Sequence, residues 1–176
     1  MKIGILKETL DGERRVAITP NIAKQLIASG FELLAEEGAG EFSSFKDSDY
    51  KKVGVAVEKR AVIFHEAEVL LKINPFDEED LKLVDKGQIL ISKLYHKSNP
   101  DLIKAIANKG VSAFSMDAIP RISRAQDMDV LSSQNNLAGY KAVILGAFEM
   151  TKIFPLMMTS AGTIAPARVL IYGIGV

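Results

Sequence analysis

The sequence contains no cysteine, so disulfide frameworks and thiolate metal sites are excluded. Histidine is scarce: His65 and His96 are the only two, too few and too far apart for a zinc site. Neither charge sign is in excess, since Lys+Arg and Asp+Glu both count 22. That balance gives no electrostatic case for nucleic acid or an anionic membrane surface. No apolar run approaches the roughly 20 residues that span a bilayer. The opening Met1-Lys2-Ile3-Gly4 reads as the start of a strand and not as a signal peptide. The expected compartment is the cytosol, or the matrix if the source is an organelle. Internal repeats and low-complexity segments are absent.

What is present is the pattern of a globular α/β protein. Hydrophobic residues make up 48% of 176, enough for one good core. Short apolar runs near residues 2–6, 31–35, 68–73, 88–94 and 111–116 read as strands, with a minor one at 53–57. Helical patterns fall between them. Thr19-Pro20 reads as an N-cap with proline at the first helical position. Ile22, Leu26 and Ile27 mark that helix's apolar face, and Gly30 closes it. Further helices are expected at 47–52, 61–67, 77–84 and 100–109, the last capped by Asn99. This alternation predicts a doubly wound, mostly parallel sheet with both faces covered. A long helix is expected from about Asn135 to Phe154, with Leu137, Tyr140, Ile144, Ala147, Phe148 and Ile153 as one apolar stripe. Residues 154–167 lose periodicity and read as a connector, with Met157 and Met158 as core or interface residues. Arg168–Tyr172 reads as a strand leading into Gly173-Ile174-Gly175-Val176, the way a dinucleotide-binding βαβ unit begins. The expected organisation is thus a first α/β domain over 1–133, helix and connector over 134–167, and the start of a truncated second Rossmann domain over 168–176.

In a doubly wound sheet, ligands gather at the carboxyl ends of the strands. Polar residues fall there repeatedly: Lys7, Glu8, Glu13, Arg14 and Arg15; then Lys72 and Asn74; then Tyr95, His96 and Lys97. The densest stretch is Pro120-Arg121-Ile122-Ser123-Arg124-Ala125-Gln126-Asp127-Met128-Asp129-Val130-Leu131-Ser132-Ser133. Such crowding of polar groups between a strand and a helix suits a binding loop. The plainer reading is a solvated loop whose Ser132 or Ser133 caps the next helix.

The run Pro120 to Gln126, followed by Met128-Asp129, Leu131 and Ser132-Ser133, resembles the nicotinamide-contacting loop of proton-translocating NAD(P) transhydrogenases. The resemblance extends over essentially the whole chain and is to the N-terminal part of the NAD(H)-binding component, on the alpha subunit. That family passes hydride between NAD(H) and NADP(H), coupled to proton movement through membrane components. The resemblance implies that Arg121, Asp129 and Ser132 contact the carboxamide side of NAD(H). It implies that Gln126 reaches toward NADP(H) held on a partner subunit. Gln126 and Asp129 then stand nearest the reaction, by positioning and not as acid or base. Gly173 and Gly175 would begin the pyrophosphate turn. It further implies a homodimer, partner membrane and NADP(H)-binding subunits, and a peripheral place at the inner membrane through those partners. No metal is implied.

Alanine dehydrogenases, related but lacking this loop, suggest an alternative reading as an alanine-dehydrogenase-like fragment. Arg15 matches an arginine that holds their substrate carboxylate, and Lys72 matches a strand-end lysine common to both families. Their acid/base histidine aligns with Tyr95 and not with His96, so His96 is not expected to be catalytic. A third reading is a non-catalytic module. Taken alone, the chain is expected to bind NAD(H) weakly or not at all, to be inactive, and to self-associate.

Overall fold

The computed structural model describes residues 1–173. Two compact units divide between Pro120 and Arg121. The division falls ahead of the boundary at residue 133 expected from the sequence, so the polar loop belongs to the second unit.

In the first unit, β1 (Lys2–Ile5), β2 (Glu32–Glu36), β3 (Ala56–Glu58), β4 (Val69–Leu71), β5 (Ile89–Ser92) and β6 (Ser112–Ser115) form one sheet in the order β3-β2-β1-β4-β5-β6. Every pairing is parallel. This is the doubly wound order of a Rossmann-like fold, as the alternation predicts. Side chains alternate across the sheet. Ile3, Ile5, Leu33, Ala35 and Val69 pack on one face with Ala23 of α1 (Pro20–Ala28) and Tyr50 of α2 (Asp47–Lys52). Leu6, Leu34, Leu70 and Leu90 pack on the other. Their partners include Ile63 and Phe64 of α3 (Arg60–Glu66), Leu81 of α4 (Glu78–Leu83) and Ile106 of α5 (Pro100–Asn108). Gly4 lets α3 lie close against β1: a Cβ there would fall well inside contact distance of Ile63.

Buried polar groups in this unit mostly find partners, the Ser92 hydroxyl on β5 being an exception. The Tyr50 hydroxyl donates to the Ile18 carbonyl at 2.7 Å, and burial pushes its pKa up to about 12. Gln88 Nε2 donates to the carbonyls of Phe64 and Ala67 at 2.6 and 2.7 Å. Helix α1 ends as expected: the Gly30 amide bonds to Ile27 and the Phe31 amide to Leu26, with Gly30 in the left-handed region at φ 91°.

Several expectations need correction. Ile22 is exposed, and Ala23 takes its place on the buried face of α1, one helical step round from where the pattern puts it. Thr19 and Asn99 stand at their cap positions without a side-chain cap bond. Asn99 instead donates to the Leu94 carbonyl at 3.0 Å. β6 is an edge strand, and Phe114 in it is 58% exposed, so covered faces hold for the central strands only.

In the second unit, a six-residue 3-10 segment (Ser123–Met128) leads into α6 (Val130–Glu149). An antiparallel hairpin follows, β7 (Met157–Thr159) and β8 (Gly162–Ile164), where the sequence predicts a plain connector. No residue of α6 is buried, so its apolar residues do not act as a core stripe within this chain. Arg168–Tyr172 is not a strand. A strand is held by a neighbouring strand, and none pairs with this run among the described residues. Gly173 is described at φ 82°; Gly175 lies outside the described residues.

Candidate functional site

The first unit gathers its polar groups at the carboxyl edge of the sheet. The β1–α1 loop turns at Leu10–Glu13, the Glu13 amide bonding to the Leu10 carbonyl at 3.1 Å. Gly12 supplies the positive φ of 77° that this turn needs. Asn74, just past β4, is buried and bridges two acids of that loop. Its Nδ2 donates to Glu8 at 3.0 Å and to Glu13 at 2.9 Å. Glu13 also accepts from the Arg15 amide at 3.0 Å, from Arg15 Nε at 2.8 Å and from its terminal nitrogen at 2.5 Å. The Arg15 guanidinium holds the Glu13 carboxyl down at about 2, against the upward pull of burial, with Asn74 helping. The Arg15 pKa is raised in turn by Glu13, with smaller contributions from Glu8 and Tyr95.

Beside this lies a chain of buried ions. The Lys72 ammonium, nearly solvent-free, donates to Asp80 at 2.6 Å and to Thr9 at 3.1 Å. Asp80 also pairs with Arg60, which reaches Glu36 at 2.7 Å. The sequence puts Lys72 at this edge but does not point to Asp80 or Arg60. The available signal is the capping box Asp77-x-x-Asp80 at the start of α4, formed in full here. Lys72 is thus occupied by protein groups and presents no free charge. His96 and His65 are exposed. Tyr95 holds the unusual φ of 48°, uncommon for a bulky side chain and costing on the order of 1–3 kcal/mol. A cleft of about 430 Å³ between α4 and α5, lined by Phe76, Leu81, Leu102 and Ala105, contains none of the ligand-site residues that the sequence puts forward.

The second unit carries the dense loop. Its geometry settles which residue caps α6: Asp129, not Ser132 or Ser133. Asp129 Oδ1 accepts from the amides of Leu131 at 3.0 Å and Ser132 at 2.9 Å, while Oδ2 accepts from the Ser132 hydroxyl at 2.6 Å. The bonds from the Ser132 hydroxyl and backbone hold the Asp129 pKa low, with a smaller contribution from the Arg121 charge. Ala125 is the buried anchor of the 3-10 segment. Arg121 and Gln126 are exposed, so their donors face outward. The structure therefore joins Asp129 and Ser132 at the helix cap, with Arg121 exposed at the start of the loop and Gln126 on the turn before the cap.

These features define a Rossmann-like α/β unit with a polar carboxyl edge, followed by a polar loop of balanced charge that leads into a capped helix. Residues 4–138 match the family model described as "Alanine dehydrogenase/PNT, N-terminal domain", and the chain belongs to that family of oxidoreductases. It is 43% identical, over its whole length, to the first-part alpha subunit of the NAD(P) transhydrogenase of Rhodospirillum rubrum, covering 47% of that protein. To the alanine dehydrogenase of Halomonas elongata it is 29% identical over its whole length, covering 48%. Among solved structures, the transhydrogenase from Sinorhizobium meliloti superposes with a TM-score of 0.91 at 40% identity, over 95% of this chain and 50% of that one. The chain spans between about a third and a half of the length of the curated relatives it matches. No helix among the described residues is long and apolar enough to cross a membrane.

Proposed function

We propose that this chain serves as the N-terminal portion of the NAD(H)-binding component of an NAD(P) transhydrogenase, in which hydride passes between NAD(H) and NADP(H) and the transfer is coupled to proton translocation. The observation that carries the reading is the loop 120–133, set at the head of a helix within a chain similar over its whole length to transhydrogenase alpha subunits. When bound, nicotinamide supplies the hydride chemistry itself. The chain's own groups fit the task of holding such a ring. Arg121 offers fixed, outward-facing donors. Ser132 keeps acceptor capacity beyond its bond to Asp129, and that bond locks its rotamer. Gln126, exposed on the preceding turn, is assigned the reach toward a second nucleotide held on a partner subunit.

None of these residues needs to move a proton. Direct transfer between two rings asks for distance and orientation, and a loop pinned by a cap supplies both. In this reading the chain works as a homodimer with NADP(H)-binding and membrane subunits, lying at the membrane through them. The glycine pair Gly173 and Gly175 belongs to the pyrophosphate end of the site. An alanine-dehydrogenase-like role is less favoured, because Glu13 engages Nε and a terminal nitrogen of Arg15, and Asp80 and Thr9 engage the Lys72 ammonium.

Titrating NADH into the purified chain by fluorescence tests the reading. In this reading the loop contributes head-group contacts only, so binding is expected near millimolar, roughly −4 kcal/mol. Loss of even that response on Arg121→Ala supports the assignment. An unchanged response in that variant overturns it.

A further inference from the structure

Between the sheet and the loop, the chain passes through a short hydrogen-bonded turn for which the sequence suggests no role. β6 ends at Ser115, and a single 3-10 turn, Met116–Ala118, follows. Asp117 sits in that turn as an acceptor. Its Oδ1 takes the Leu94 amide at 2.9 Å, the Tyr95 amide at 3.2 Å and the Ser115 hydroxyl at 2.7 Å. The Leu94 amide is shared with Ser115 Oγ at 3.2 Å. Tyr95 stands at φ 48°, and consecutive amides around such a residue converge on one point as an anion-binding nest. Here the anion is the protein's own carboxylate. Burial works to raise the Asp117 pKa, but the bonds from Ser115, Tyr95 and Leu94 hold it below its ordinary value.

The far end of the loop is tied in the same manner. Asp129 accepts two consecutive amides and one serine hydroxyl, just as Asp117 does. The segment 118–128, with Arg121 and Gln126 in it, therefore runs between two carboxylate anchors. We infer that Asp117 is a positioning residue: by fixing the Met116–Ala118 turn to the Leu94 and Tyr95 amides, it restrains the backbone entering Pro120-Arg121 and acts on the nucleotide through Arg121. Its functional end rests on the transhydrogenase reading, while its mechanical end rests on the bonds just described.

The test is amide hydrogen exchange on the chain at neutral pH, with NADH titration alongside, for Asp117→Ala, Asp117→Asn and Ser115→Ala. In Asp117→Ala, exchange at Leu94, Tyr95 and residues 119–128 should quicken by about tenfold or more, while amides of β1 and β4 keep their rates. The NADH response should weaken in step. Asp117→Asn keeps an acceptor oxygen for the amides and should restore both readouts to within about threefold of the parent. A role confined to general stability would speed exchange across the whole sheet and would not be rescued selectively. If Asp117→Ala fails to fold, Ser115→Ala, which removes one donor, should still loosen 119–128 selectively. Unchanged exchange over 119–128, or an asparagine variant as loose as alanine, overturns the inference. Loosening over 119–128 in Asp117→Ala with an NADH response that stays at the parent's level would leave the anchor standing and sink its link to the nucleotide instead.

Discussion

Arg15 and Glu13 show how a single side chain can be claimed by its neighbour. In the sequence, Arg15 sits at a strand end, where a substrate carboxylate could meet it. In the fold, its Nε and a terminal nitrogen both meet Glu13, a two-pronged arrangement that suits guanidinium and carboxylate. This has a pH consequence with a definite sign. The Glu13 carboxyl is lowered from 4.5 to about 2 in the folded chain. Its stabilisation is therefore present above the unfolded value and is lost as pH falls from about 4.5 toward 2. With the guanidinium partly solvent-screened, the loss should be about 1–2 kcal/mol. Urea unfolding from pH 5 to pH 2 should show a shallower acid slope for Glu13→Gln than for the parent; identical slopes would remove Glu13 from the account. Arg121 presents the opposite case. It is exposed, so Arg121→Ala should change unfolding free energy by no more than about 0.5 kcal/mol, separating its role in binding from any role in folding. A larger loss in thermal unfolding would make it a structural residue.

At the scale of elements, period and punctuation carry most of the architecture. The central strands read as apolar runs because helices cover them on both faces, and each appears within a residue or two of its expected span. Elements with few neighbours are less legible. Residues 168–172 have strand composition, yet composition supplies no hydrogen-bond partner. The hairpin β7–β8 turns at Ser160-Ala161, with Gly162 opening β8 opposite Thr159, in a stretch where Pro155 and Pro166 read as loop. The sequence points Asp129 toward a ligand and the serines toward the cap. The geometry gives the cap to Asp129, because any residue of the Asx or serine type can serve and only the backbone decides which stands at the boundary. The ion chain Glu36–Arg60–Asp80–Lys72 is invisible in the sequence for another reason: it joins β2, α3, α4 and the end of β4, and pattern analysis works along one element at a time. It holds α4 to the sheet beside the polar edge. Asp80→Leu should cost about 3–5 kcal/mol by leaving a buried ammonium with only the Asp77 carboxylate at 3.8 Å, and adding Lys72→Met should recover a good part of that loss. Chemical denaturation of both variants measures it; equal losses would mean that packing, and not charge, sets the cost.

At the scale of the whole molecule, the two units differ in how well they bury their apolar residues. The first has a core on each face of its sheet. The second exposes Leu137, Tyr140, Val143, Ile144, Leu145 and Phe148 along α6, with Met157 and Met158 on the hairpin. The helix has apolar residues at 143, 144 and 145, more than one side of a surface helix accounts for. Contiguous apolar area of this kind draws a covering surface, and another copy of the chain carries the same helix, so a two-fold pairing would cover both at once. The chain should therefore sediment as a dimer or larger species at tens of micromolar, with the equilibrium shifting on dilution. Tyr140→Glu with Phe148→Glu places charge on that surface without touching the first unit's core. This double variant should sediment as a monomer with its circular dichroism unchanged. A parent chain that stays monomeric at high concentration would mean that the exposed helix is not a self-association surface. A double variant that still dimerises would move the interface to another part of the molecule.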